Sequence, residues 1–257
     1  MELKLKDKVA LITGGSRGIG QAIAQRLIEE QCCVGFCGRG AEDIERASAT
    51  LRDAGGRVHG MQADVTEPDQ LKGFINDSAA HFGGVDLLVA NVGGSSARGG
   101  IEVSVEDWQR TFQMNLFHAV TAIQTAVPYM RSRGGGSVVI ISSISGWKPG
   151  PPMHYGAAKA AEIYTAGAMA LELAADRIRV NALSPGSIIF PGGSWERRRQ
   201  QTPEAFHAFE ERELPWGRLG TPEEVANVAV FLLSDLSCWI NGANIPVDGG
   251  QGRPSMS

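Results

Sequence analysis

The residues Lys8-Val9-Ala10-Leu11-Ile12-Thr13 form a short apolar run that leads without a break into Gly14-Gly15-Ser16-Arg17-Gly18-Ile19-Gly20. An apolar run stopped by glycines, then followed by Ala22, Ile23, Ala24, Leu27 and Ile28 at helical spacing, reads as strand, tight turn and helix. The stripe formed by those side chains suits packing on a sheet. Glycines at that turn let the backbone approach a pyrophosphate, whose charge meets the free amides and dipole at the helix start. The bland reading is a tight turn without a ligand, because the spacing is Gly-x-x-x-Gly-x-Gly rather than the commoner dinucleotide fingerprint.

The alternation continues along the chain. Apolar runs predict strands near 8–13, 33–37, 57–62, 86–90, 137–141, 178–183 and 244–247. Amphipathic stretches predict helices at 41–54, 68–82, 105–131, 153–175 and 222–233. No linker, internal repeat or low-complexity segment interrupts them. Strand and helix in alternation imply right-handed crossovers and a doubly wound α/β domain, with a seven-stranded parallel sheet covered on both faces. One domain is expected over 1–257. Ligands of such a sheet bind outside the carboxyl ends of its strands.

With 257 residues, 43% hydrophobic content and 33 glycines, the chain suits one domain with a large core and many tight turns. A net charge of −4 lacks the basic excess of nucleic-acid binders. No apolar run approaches the ~18 residues of a membrane span. Met1-Glu2-Leu3-Lys4-Leu5-Lys6 has no signal-peptide centre. The expectation is a cytoplasmic protein with neither nucleic acid nor membrane as partner. Cys32, Cys33, Cys37 and Cys238 show no Cys-x-x-Cys spacing and read as reduced apolar fillers. No histidine pair has metal-ligand spacing, so no metal site is expected, and His154 reads as a pocket-rim or surface residue.

Tyr155 and Lys159 stand four residues apart in Tyr155-Gly156-Ala157-Ala158-Lys159 and share a helix face. A free phenol titrates near ~10. An ammonium one turn away favours the phenolate and makes such a phenol usable as a general acid or base. Alone, the pair is a common surface coincidence.

Together these segments resemble the short-chain dehydrogenase/reductase family, whose signature is Thr-Gly-x-x-x-Gly-x-Gly followed far downstream by Tyr-x-x-x-Lys. Thr13 to Gly20 and Tyr155 to Lys159 match both. Further landmarks fall in the family's order: Asp64-Val65, Asn91-Val92-Gly93, Asn115, Ser143 and Pro185-Gly186. The resemblance spans nearly the whole chain and implies a Rossmann-type fold. It also implies a catalytic set of Asn115, Ser143, Tyr155 and Lys159. In this set Tyr155 exchanges a proton with the substrate oxygen, Ser143 hydrogen-bonds the same oxygen, Lys159 supports Tyr155 and holds the nicotinamide ribose, and Asn115 supports a relay water. Cofactor contacts are implied for Gly14, Ser16, Arg17, Gly18, Ile19, Gly20, Arg39, Asp64, Val65, Asn91, Gly93, Tyr155, Lys159, Pro185, Gly186 and Ile188. By itself Asn115 is compatible with a helix-interior asparagine making a local backbone bond.

Three departures from the family pattern stand out. The usual serine-to-tyrosine separation of thirteen selects Ser142, whereas the Ser-x-x-Gly context of Ser143-Ile144-Ser145-Gly146 selects Ser143; we choose Ser143, with the loop 147–152 one residue short. The family's Asn-Asn-Ala-Gly is Ala90-Asn91-Val92-Gly93 here, and Phe190 replaces a threonine that touches the cofactor in many members.

Cofactor choice turns on Cys37-Gly38-Arg39. An NAD enzyme usually carries an acid where Gly38 stands, to hold the adenosine ribose. Without it a 2′-phosphate meets no repulsion, and Arg39, with Arg17, can bind one. NADP(H) is therefore the expected cofactor. The opposing reading leaves both arginines in solvent and gives the ribose to Glu42 or Asp43.

The expected function is hydride transfer between NADP(H) and a carbonyl or secondary alcohol. The chain is similar to 3-oxoacyl-[acyl-carrier-protein] reductases, which implies a 3-oxoacyl thioester or related ketone as small-molecule substrate. The alternatives are an NAD-dependent sugar or secondary-alcohol dehydrogenase and a non-catalytic nucleotide-sensing protein. The segment 187–216 corresponds to the family's substrate lid. Its Phe190, Trp195, Phe206 and Phe209 either line a pocket or pack as an amphipathic helix, and Arg197-Arg198-Arg199 either meet an anionic handle or form a solvated face. Small residues along the helix from Met153, including Ala157, Ala158, Ala161 and Gly167, permit close packing. In the family that helix builds a homodimer or homotetramer.

Overall fold

Seven strands form one all-parallel sheet in the order β3-β2-β1-β4-β5-β6-β7 in a computed structural model that describes residues 2–252. The ends of the expected domain, residue 1 and residues 253–257, lie outside the described residues. The strands are β1 (Val9–Thr13), β2 (Cys33–Gly38), β3 (Arg57–Gln62), β4 (Leu87–Ala90), β5 (Gly136–Ile141), β6 (Ile178–Pro185) and β7 (Asn244–Val247). The chain starts at the centre, winds outward to β3, then returns to place β4 on the other side of β1. That reversal opens a crevice between β1 and β4 at their carboxyl ends.

Alternation along each strand divides the core in two. Leu11, Leu88, Val138 and Val180 face α3 (Pro68–Phe82), α5 (His118–Ser132) and α6 (Met153–Glu172). Ile12, Val34, Val89 and Val139 face α1 (Gly18–Glu29), α2 (Ala41–Asp53) and α9 (Pro222–Leu233). Every residue of β1 and β4 is buried, as expected for central strands covered on both faces.

Two expected helices are corrected. The segment 105–131 is not one helix: α4 (Val105–Phe112) and α5 are joined by a π-helical turn, Gln113–Phe117. The expected helix 153–175 ends as α6 at Glu172 and passes into a 3₁₀ turn, Ala174–Asp176. Between β6 and α9 lie two short helices, α7 (Ser194–Gln201) and α8 (Pro203–Glu213). Phe206 and Phe209 of α8 are buried in a small cluster of their own with Leu214, Leu219 and Trp195. Arg198 lies over the Trp195 ring at 5.0 Å and the Phe209 ring at 5.1 Å. Thus Arg198, although exposed, also covers one side of this cluster.

Cys32, Cys33 and Cys37 are buried free thiols, as fillers should be, but Cys238 is exposed. His154 is fully buried, not at a rim. Its Nε2 lies 2.7 Å from Ser95 Oγ, whose own proton goes to Ala97 O at 2.6 Å, so His154 donates and fastens the loop after β4 to the start of α6. No helix among the described residues is long and apolar enough to cross a membrane.

His118, at the start of α5, is also fully buried, with Nε2 3.4 Å from Thr13 Oγ1. Burial, reinforced by the positive charge of Lys159, lowers its pKa to about 3. The imidazole is neutral in the native protein, while in the unfolded chain it takes up a proton below about 6.5. Its contribution to stability is complete above that pH and is lost as pH falls toward 3, at about 1.4 kcal/mol per pH unit. Urea unfolding from pH 7 to pH 4 should therefore show a shallower loss of stability in His118→Gln than in the wild type, by about one proton; parallel curves would contradict the assignment.

Candidate active site

The crevice at the strand ends is a cleft of about 390 Å³. Gly14, Ser16, Arg17 and Ile19 from the β1–α1 turn line it, with Arg39, Asp64, Val65, Asn91 and Gly93 from the next three strand ends. Ser143, Tyr155, Lys159, Pro185, Gly186 and Ile188 complete the predicted lining. Gly18, Gly20 and Asn115 do not line the cleft. Phe190, Ser142, Met114 and Trp195 also line the cleft and were not among the residues expected there as cofactor or catalytic groups.

The glycine turn has the shape of a cradle. Gly14 and Gly18 have φ of +69° and +56°, a region costly for other residues. A side chain at Gly20 would strike the Gly14 carbonyl, so α1 and the turn can only close this tightly on glycine. No side chain caps the first turn of α1, and its amides are left to an anionic group in the cleft. These features fit the pyrophosphate of a dinucleotide.

Thr13, the last residue of β1, ties the two sides of the crevice together. Its hydroxyl accepts from Asn91 N at 2.9 Å, and Asn91 Nδ2 donates to the carbonyls of Thr13 and Gly14 at 3.0 and 3.1 Å. One asparagine after β4 therefore serves this clamp, and the missing first asparagine of the family pattern leaves it intact.

At the second strand end Gly38 admits no side chain without displacement, since a Cβ there would lie 2.9 Å from Ser16 Oγ. Arg39 is exposed and close enough to influence Asp64. Burial alone would raise the Asp64 carboxyl. Bonds from Thr66 N at 2.9 Å and Thr66 Oγ1 at 2.7 Å, with the Arg39 charge, outweigh it and hold the carboxyl below its ordinary value. Asp43 is engaged by Arg46 through an ion pair.

Tyr155 and Lys159 lie on one face of α6, with Lys159 Nζ 5.7 Å from the centre of the Tyr155 ring. Lys159 is only 2% exposed. Its ammonium donates to Ile141 O at 2.9 Å and to both oxygens of Glu162, at 3.0 and 2.9 Å. Glu162 is itself 1% exposed, and burial raises its carboxyl pKa, opposed by the Lys159 charge and the hydrogen bonds from Lys159. The sequence reading missed Glu162. The available signal was an acid three residues after Lys159, on the same face of a helix otherwise rich in alanine.

The two adjacent serines differ in their bonds. Ser142 Oγ donates to Lys159 O at 2.9 Å, which commits its proton to the interior. Ser143 Oγ accepts from Ser145 N at 3.1 Å and keeps its own proton to donate. Asn115 sits in the π-helical turn, where Nδ2 donates to Thr111 O at 2.6 Å and Gly94 O at 2.7 Å, while Oδ1 accepts from Gly94 N at 3.1 Å. It thus combines the local backbone bond with a clamp on the loop after β4. Gly93 lies under both groups: a Cβ there would be 2.7 Å from Lys159 Nζ and 2.8 Å from Asn115 Oδ1. Phe190 packs its ring against Gly18, at 2.8 Å from where a Cβ would project. No group of His, Cys, Asp and Glu among the described residues is arranged to hold a metal ion.

The arrangement joins a nucleotide cradle to a phenol, an ammonium and a hydroxyl, which suits proton exchange at an alcohol or carbonyl oxygen. Comparison with known proteins agrees. The family model described as Enoyl-(Acyl carrier protein) reductase matches residues 14–251. The chain is 35% identical over 252 residues to isoepoxydon dehydrogenase patN of Penicillium expansum, covering 96% of this chain and 95% of that one. It is 36% identical over 248 residues to cis-4-hydroxycyclohexanecarboxylate dehydrogenase of Sinomonas cyclohexanicum, covering 95% and 96%. The crystal structure of L-sorbose reductase from Gluconobacter frateurii, complexed with NADPH and L-sorbose, superposes with a TM-score of 0.91 at 32% identity, over 98% of this chain and 99% of that one. The sheet order, the sequence of motifs along the strand ends and these matches make the chain an oxidoreductase of the short-chain dehydrogenase/reductase family, acting on alcohol or carbonyl groups through a nicotinamide cofactor.

Proposed function

We propose that this protein is an NADP(H)-dependent reductase of small ketones, working reversibly on the corresponding secondary alcohols. The observation that carries the reading is the cleft itself, in which Ser143, Tyr155 and Lys159 stand beside a glycine cradle that ends at Arg17 and Arg39 with no acid at Gly38. When bound, the nicotinamide ring supplies or accepts the hydride. Tyr155 gives its phenolic proton to the carbonyl oxygen in the reductive direction and takes it back in the oxidative one. Ser143 donates to the same oxygen, so charge growing there meets a fixed donor. Lys159 stabilises the phenolate through its charge, with its three N–H groups given to Ile141 O and the Glu162 carboxylate. Asn115 keeps Gly93 and Gly94 in place beneath the ammonium. Arg39 and Arg17 take the 2′-phosphate.

Segment 187–216 acts as the substrate lid of a single catalytic domain. Phe190 and Trp195 are its two aromatic side chains in the cleft, while Phe206 and Phe209 hold its own small core. The relatives named for a hydroxycyclohexanecarboxylate and for L-sorbose favour a compact polar or ring ketone alongside the 3-oxoacyl thioester suggested by motif similarity. The exposed apolar side chains Tyr164 and Leu171 on α6, with Phe117 beside α5, support assembly as a homodimer or homotetramer.

The test is consumption of NADPH and NADH, side by side, with acetoacetyl thioester, L-sorbose and 4-oxocyclohexanecarboxylate. Turnover with NADPH well above NADH is expected, and a preference for NADH would overturn the cofactor reading. Arg39→Asp should weaken NADPH binding roughly 100-fold and NADH binding by about 3-fold or less, as titrated by nucleotide fluorescence. Tyr155→Phe should lower turnover by about 10³-fold while nucleotide affinity stays near wild type; a variant that remains active refutes the assigned acid.

A further inference from the structure

The ammonium of Lys159 is not alone in its pocket. Its three N–H groups face three acceptors, Ile141 O and both oxygens of Glu162, all at 2.9–3.0 Å. Lysine and glutamate are 2% and 1% exposed, and Glu162 is the one buried glutamate among the described residues. A fully buried carboxylate is costly unless paired, so its presence three residues from Lys159 calls for a physical role. Two consequences follow from elementary electrostatics. The bidentate pair fixes where the ammonium sits, and the negative charge cancels part of the field that the ammonium exerts on its other neighbours.

Those neighbours come from several elements. Tyr155 shares α6, with its ring centre 5.7 Å from Nζ. His118, on α5, feels the Lys159 charge and is neutral. Ser142, after β5, donates its one proton to Lys159 O and carries no charge. Asn115, in the π-helical turn, places Oδ1 close to Gly93, which Nζ also approaches. Glu162 is therefore the one group in this set that can offset the positive charge.

We propose that Glu162 is a positioning residue, which holds the Lys159 ammonium against Ile141 O and offsets part of the charge that the ammonium presents to Tyr155. This rests on the reading of Tyr155 as the acid of the proposed reaction. No covalent or redox step is involved. Glu162 touches neither substrate nor the reacting atoms.

The experiment compares wild type with Glu162→Gln, which keeps size and an acceptor oxygen but removes the charge. Ultraviolet difference titration against Tyr155→Phe in each background reads the Tyr155 phenolate without turnover. In Glu162→Gln the phenolate should form about one pH unit lower, and the rising limb of the kcat/KM profile for alcohol oxidation should move with it. Nucleotide affinity should change less than about 3-fold, which separates a charge effect from a damaged cleft. A phenolate titration that is unchanged, or that moves to higher pH, overturns the proposal. Glu162→Met, apolar and of similar volume, reads the same quantity if the glutamine variant does not fold. In the wild type, an infrared carbonyl band from a buried protonated carboxylic acid at neutral pH also overturns it, because a neutral Glu162 cannot compensate Lys159. Turnover that survives Tyr155→Phe sinks the acid assignment instead, and leaves the titration result standing.

Discussion

A sheet whose strands all run one way can be closed only by crossovers, and every crossover returns the chain to the same edge. In this protein that constraint collects seven strand ends on one side of the molecule. The reversal of winding between β1 and β4 then prevents two helices from meeting there, and a crevice is left open. Everything in the site depends on this. Thr13, Gly38, Asp64, Asn91, Ser143 and Pro185 are distant in sequence, and each lies at or just beyond the end of a different strand.

Crowding at that edge is resolved by small residues and by backbone-directed polar side chains. Gly14, Gly18 and Gly20 let α1 begin within contact of the turn, and Gly93 leaves room for the Lys159 ammonium beside it. Asn91 and Asn115 use their amide groups almost wholly on backbone partners, which holds two loops still without regular secondary structure. A preorganised site needs such fixed loops, because a mobile donor loses the advantage it has over water. Charge is handled differently. Lys159 and Glu162 are both removed from solvent and neutralise each other, while Arg17 and Arg39 stay exposed at the outer end of the cleft.

Much of the fold could be read from periodicity because central parallel strands are apolar on both faces and bounded by turns. The seven expected strands lie within two residues of the observed ones. The helix expected over 105–131 shows where such reading stops. Its apolar spacing continues through 113–117, but there Asn115 is bonded to the loop after β4 and the helix opens into a π turn. The burial of His154 escapes local spacing for a similar reason, since only the folded loop at Ser95 supplies its partner. Glu162 resembles one more solvated helix charge until the burial of its helix face is known.

By itself, the sequence determined the succession of strands and helices, the parallel sheet, and the residues standing at the strand ends, because these follow from local periodicity, glycine turns and motif order. Tertiary structure alone decided which face of α6 is sealed, which of Ser142 and Ser143 keeps a proton to donate, and how the aromatic residues of 187–216 divide between their own core and the cleft. These depend on contacts between segments far apart in the chain, where burial and a single hydrogen bond set the role of a side chain that local spacing leaves open.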